Sequence, residues 1–190
     1  MRIAVNRMRL PVALACGALL TTGLALASLA PRDLTKQLEY IDAQNSTGIV
    51  VYGTVRDAHT VASPDPDLSV PFTQITLDVS DYLVGANAGA TLTVLTPGGD
   101  GGRLSISPDE NEIRAGETVV YFLRADAATR SMYPGSFRLD NYAAAFRTQT
   151  NRKGQVVVLG EGYGSAIENN TALTTLATSA KASLATLRGK

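Results

Sequence analysis

The chain is 190 residues long and balances 17 Lys+Arg against 17 Asp+Glu, with one His, one Cys and no Trp. Arg2, Arg7, Arg9 and the only cysteine, Cys16, all precede residue 28, so a mature chain from that point carries a net charge of −3 and no thiol. This excludes the positive field that sequence-independent nucleic-acid binding needs, a disulfide framework, a thiolate nucleophile, a Cys-based zinc or iron–sulfur site, and a multi-imidazole metal centre.

The start has the three parts of an export signal. Met1–Arg9 is basic, and Leu10–Ala30 is an uncharged apolar run. Ala25-Leu26-Ala27 supplies the small-x-small pattern that signal peptidase reads, which makes 1–27 a signal peptide, cleaved after Ala27, and the domain beyond it periplasmic or secreted. Left uncut, the same run is long enough to anchor the chain, so membrane contact is expected only through this segment. Ala13-Leu14-Ala15-Cys16 loosely resembles a lipobox, but position −3 is Ala and the residues after Cys16 stay apolar.

Residues 28–47 form an N-terminal helical segment. Leu34, Leu38 and Ile41 fall at i, i+4 and i+7, and Pro31 suits a first turn, so the spacing predicts a helix over Pro31–Gln44. From Ile49 the period changes. Ile49, Val51, Gly53 and Val55 alternate with Val50, Tyr52 and Thr54, as in a strand. Ala62–Leu68, with Pro64 and Pro66, reads as a surface loop. Thr73, Ile75, Leu77, Val79 and Leu83 then share one face, while Gln74, Thr76, Asp78 and Ser80 share the other, so one side packs and one is wet. Thr91–Thr96 is a third strand, and Leu104–Ile106 a short one beyond a glycine-rich loop. Thr118–Leu123 is apolar on both faces and therefore central. Phe137–Phe146 and Gln155–Leu159 follow, with a turn at Asn151–Gly154. Leu173, Leu176, Ala177, Ala180, Leu184 and Leu187 mark a helix over Thr171–Leu187, with Asn169 or Asn170 as its cap. The expected architecture is mainly β: a small antiparallel OB-like or Greek-key barrel of five to seven strands over 48–160. A short helix precedes it, and a C-terminal loop and helix, 161–190, pack on it.

The strands also carry a resemblance. Gly48-Ile49-Val50-Val51-Tyr52-Gly53-Thr54-Val55, then Phe72-Thr73 through Leu83-Val84-Gly85, Val94-Leu95-Thr96-Pro97-Gly98-Gly99 and Gly116-Glu117-Thr118-Val119-Val120-Tyr121-Phe122-Leu123 resemble a group of small exported bacterial proteins. Their order and spacing distantly resemble netrin-like modules, the OB-type barrels of tissue inhibitors of metalloproteinases, over about Thr35 to Arg147. The resemblance implies a five- or six-stranded Greek-key barrel and no activity. Those inhibitors chelate a protease metal through an N-terminal cysteine held by disulfides, so no functional residue carries over to a mature chain without cysteine.

Candidate chemistry is sparse. His59, the only imidazole, lies beside Asp57 at i, i+2 in an extended segment, which points both side chains one way without a fixed contact; it reads as a solvated strand-end histidine rather than a general base. Gly160-Glu161-Gly162-Tyr163-Gly164-Ser165 imitates a dinucleotide fingerprint, but Ser165 replaces the third glycine and no parallel strand follows. Asp65 and Asp67, or Asp100 with Asp109, Glu110 and Glu112, offer oxygen ligands for Ca²⁺ without EF-hand spacing. Asn45 and Asn169 sit in glycosylation patterns that a bacterial-type export signal makes idle. Tyr52, Tyr82, Tyr121, Tyr133, Tyr142 and Tyr163 are either core or a binding face.

No residue is therefore assigned a catalytic, cofactor-binding or metal-binding role, and no cofactor is expected. The sequence reads as an exported, non-catalytic β-barrel module that binds a protein or envelope ligand. The alternatives are a hydrolase drawing carboxylates from Asp57, Asp78 and Asp81, although Asp78 and Asp81 fall on opposite faces of their strand by parity, and a structural or adhesive subunit, which needs a long unpaired edge strand.

Overall fold

The computed structural model describes residues 30–42, 48–63, 70–99, 114–139, 144–160 and 167–189. The cleavage site at Ala27, Asn45, the acidic residues offered for Ca²⁺, the expected strand at Leu104–Ile106, and Tyr142 and Tyr163 lie outside them. In chain order the elements are α1 (Ala30–Asp42), β1 (Ile49–Val61), β2 (Phe72–Val84), β3 (Thr91–Pro97), β4 (Thr118–Leu123), α2 (Ala127–Met132), β5 (Phe137–Arg138), β6 (Ala145–Thr150), β7 (Val156–Val158), β8 (Thr171–Ala172) and α3 (Leu173–Arg188).

The eight strands among the described residues form one curled sheet, a half-barrel, in the order β5-β3-β2-β1-β4-β6-β7-β8. Eight replaces the expected five to seven, because β5 and β8 are two-residue strands too short to leave a periodic signal. The sheet is mixed rather than antiparallel: β5 runs parallel to β3, pairing Val94 with Phe137 and Leu95 with Arg138. The expected single strand Phe137–Phe146 is also divided. Arg138 lies opposite Arg124 at the end of β4, and Ala145 lies opposite Tyr121.

That division curls the sheet. The Arg124 N–H donates to the Arg138 carbonyl (3.1 Å), the Arg138 N–H to the Arg124 carbonyl (2.8 Å), and the Leu139 N–H to the Leu95 carbonyl (2.9 Å). At this end β1, β2, β3, β5 and the tip of β4 return on themselves, while β6, β7 and β8 continue from the start of β4. A partly buried polar clamp holds the junction. Asp126 caps α2, its carboxylate accepting from the Thr129 N–H (2.9 Å) and hydroxyl (2.6 Å). The Arg124 guanidinium donates to the same carboxylate at 2.8 Å, and that of Arg138 lies 3.8 Å from it. Arg138 also stacks over the Phe72 ring at 5.0 Å, and Arg130 over Phe137 at 5.1 Å. Desolvation opposes ionisation of Asp126, but the two hydrogen bonds from Thr129 and the charge and hydrogen bond of Arg124 together outweigh it, and its carboxyl is held below the ordinary aspartate range.

β4 is central, as its composition requires: Val119, Val120, Tyr121, Phe122 and Leu123 are all buried, on both faces. The Phe122 ring meets Phe146 edge-on at 5.8 Å. α1 buries Leu34, Leu38 and Ile41 against α3 and β4, and α3 buries Leu176, Ala180 and Leu184 against α1, β2 and β7. The cap of α3 is Ala172 rather than Asn169 or Asn170, because Thr171 and Ala172 are drawn into pairing with Val157 and Val158. The β6–β7 turn falls where expected. Asn151 Oδ1 accepts from the Lys153 and Gln155 N–H groups, and Gly154 takes φ +75°.

On β2 the expected facing holds for Ile75 and Leu77, which are fully buried, whereas Val79 is only half-buried. Leu77→Ala should cost about 2–5 kcal/mol in urea unfolding, the range for emptying a packed leucine site. Thr76→Ala, on the outer face, should cost less than about 1 kcal/mol. Equal costs would mean that the strand faces the other way.

Candidate binding face

The outer face of β1, β2 and β3 is shaped by one extra residue. Val55 pairs with Leu77 and Asp57 with Thr76, so Arg56 is bulged out of register. Without the bulge, Asp57 and His59 would follow Val51, Gly53 and Val55 into the core. With it, the alternation inverts: Ala58 turns in against the core, and Arg56, Asp57 and His59 turn out beside Thr54.

Arg56 folds across the neighbouring strands. Its Nε donates to Asp78 Oδ2 at 2.9 Å, its Nη2 donates to Asp78 Oδ1, and Nη2 also lies 3.3 Å from Thr91 Oγ1. The Thr91 hydroxyl donates to Asp78 Oδ1 at 3.2 Å. The Arg56 hydrogen bonds, against slight desolvation and with help from the Arg56 charge and Thr91, hold the Asp78 carboxyl below its ordinary range. Arg56 and Asp78 remain 57% and 43% exposed, so their pair orders the surface rather than stabilising the fold.

Around this pair the register sets hydroxyls in line. Thr118 faces Thr54, Thr54 faces Asp78, and Asp78 faces Thr91, while the Thr148 hydroxyl of β6 lies 2.8 Å from Thr118 Oγ1. A second row joins Asp57, Thr76 and Thr93, and a third places His59 beside Gln74. Within a row, neighbouring side chains stand about 4.8 Å apart, the strand spacing. The result is an open polar surface in which the Arg56 cation already has its counter-ion and threonine hydroxyls can both donate and accept.

The expectation of no fixed contact between Asp57 and His59 is corrected here. His59 Nδ1 lies 2.8 Å from Asp57 Oδ2, with both side chains more than half exposed. The bulge twists β1 at this point, which brings side chains two residues apart closer than a regular strand would. The three carboxylates considered for hydrolysis are dispersed: Asp57 engages His59, Asp78 engages Arg56, and Asp81 is exposed opposite Tyr52 beyond a second register shift. Among the described residues, no group of three or more His, Cys, Asp or Glu side chains is placed to hold a metal ion.

The tyrosines divide. Tyr121 is core, Tyr52 and Tyr82 pack half-buried against it, and the Tyr133 hydroxyl donates to the Ala62 carbonyl at 3.0 Å, tying α2 to the end of β1. Sequence reasoning missed Arg56 and the Arg124–Asp126–Arg138 clamp. Arg56–Asp78 joins residues on different strands and depends on a bulge invisible in one strand alone. Asp126 did leave a signal, since Asp-Ala-Ala-Thr has the spacing of an N-cap that reaches its third helical residue. No family model matches the chain, and no match is found among curated proteins.

Proposed function

We propose that this chain is an exported, non-catalytic binding module on an OB-type Greek-key barrel, which takes a protein or envelope ligand on the outer face of β1, β2 and β3. The observation that carries the reading is the Arg56 bulge, which turns Arg56, Asp57 and His59 out onto an open three-strand surface and leaves that surface hydrogen-bonding but nearly charge-balanced. The barrel class rests on the circuit of β1, β2, β3, β5 and the tip of β4, since OB-type barrels are five-stranded, partly open and bind ligands on their strand 2–3 face. Export rests on Arg2, Arg7 and Arg9, the apolar run after them and Ala25-Leu26-Ala27.

Co-sedimentation of the folded domain with a bacterial envelope preparation tests the binding reading. The wild-type domain should pellet saturably. The double variant R56E/T76K should lose at least tenfold in apparent affinity, and K153A, in the β6–β7 turn, should bind as the wild type. Circular dichroism should be the same for all three. Equal retention of the double variant, or no saturable pelleting, would overturn the assignment.

A further inference from the structure

The helical layer holds a cavity unrelated to that face. The end of β2, Tyr82 to Gly85, and the last two turns of α3 border an open depression of about 350 Å³. Lys181, Leu184, Ala185 and Arg188 line it at i, i+3, i+4 and i+7, so a single stripe of α3 carries two apolar side chains between two cations. Leu83, Val84 and Leu184, all buried, give it an apolar floor. Gly85 at φ +89° adds bare backbone to the wall, and a Cβ there would meet Ile49 Cγ2 at 2.6 Å.

No acidic side chain lines this space, and Lys181 has no ion-pair partner among the described residues. An apolar floor beside the unpaired Lys181 ammonium matches a molecule that is greasy along its length and negative at one end. The volume is at the small end of the range for small-molecule sites and suits one hydrocarbon chain rather than two.

We propose that this cavity binds a free single-chain anionic amphiphile, a medium-chain fatty carboxylate, with its chain on Leu83, Val84 and Leu184 and its head at Lys181. This site is separate from the β1–β2–β3 face, and the two readings stand or fall independently.

The test is titration of the ¹⁵N-labelled domain with decanoate, decyltrimethylammonium and, in a third arm, phosphatidylglycerol vesicles. Decanoate should shift the amides of Gly85, Leu184 and Ala185 saturably and bind at least tenfold more tightly than the cationic analogue. K181E should abolish that preference. A185W, which fills the cavity from an exposed position, should abolish decanoate binding with an unchanged melting temperature. Equal affinity for the two analogues, shifts located elsewhere, or association with vesicles but not with decanoate would each overturn the proposal.

Discussion

Gly53→Ala should destabilise the domain by about 3 kcal/mol or more, although it adds only one methyl group in the middle of a strand. A Cβ on Gly53 would stand 2.4 Å from the Asp78 carbonyl oxygen, 3.1 Å from that carbonyl carbon and 3.2 Å from Leu77 Cγ. The obstacle is backbone on the paired strand, which no rotamer change can relieve. Gly53 also sits at a register shift, pairing with Val79 while Tyr52 pairs with Asp81. The added methyl must therefore force β1 away from β2 at the centre of the sheet. Gly154→Ala is the comparison. Gly154 has φ +75° and nothing within 4 Å of its Cβ position, so only backbone strain of about 1 kcal/mol is expected. Urea midpoints for the two variants check this, and similar values would contradict the close approach of β1 and β2.

Asp126→Ala should cost about 3 kcal/mol, because it deletes the cap of α2 and leaves Arg124, only 12% exposed, without the carboxylate that receives it. Asp126→Asn isolates the charge, since asparagine can still cap. The folded carboxyl titrates below its unfolded value of about 3.9, so its stabilisation is complete above that pH and is lost as pH falls through the folded value. The stability gap between wild type and Asp126→Asn should therefore be constant from pH 7 to about 5 and shrink below about 4. A gap that widens on acidification would show that the carboxylate opposes folding.

What was legible in the sequence is what a strand or helix determines by itself. The alternation at Ile75 and Leu77, the two-sided burial of Val119–Leu123 and the stripe of Leu176, Ala180 and Leu184 each depend on local period and on being next to a core. What escaped depends on partners. The Arg56 bulge exists only relative to Leu77 and Thr76, and so the outward turn of Asp57 and His59 could not be read from β1 alone. Phe137–Phe146 has the composition of one strand, but its pairing with Leu95 at one end and Val120 at the other divides it. The cap of α3 moved because Thr171 and Ala172 pair with β7, a competition that helix-capping preferences do not include.

The contact between α1 and α3 has a kinetic consequence. The first and last helices described cover one another and share the layer over the sheet, although almost the whole domain lies between them in sequence. A fragment lacking α3 leaves Leu34, Leu38 and Ile41 covered only in part, by β4. Loop-closure entropy over so long a separation makes this docking a late event, and the mixed sheet adds further distant pairings, so folding is expected on the millisecond-to-second scale. Until α3 docks, the layer over the sheet is therefore incomplete.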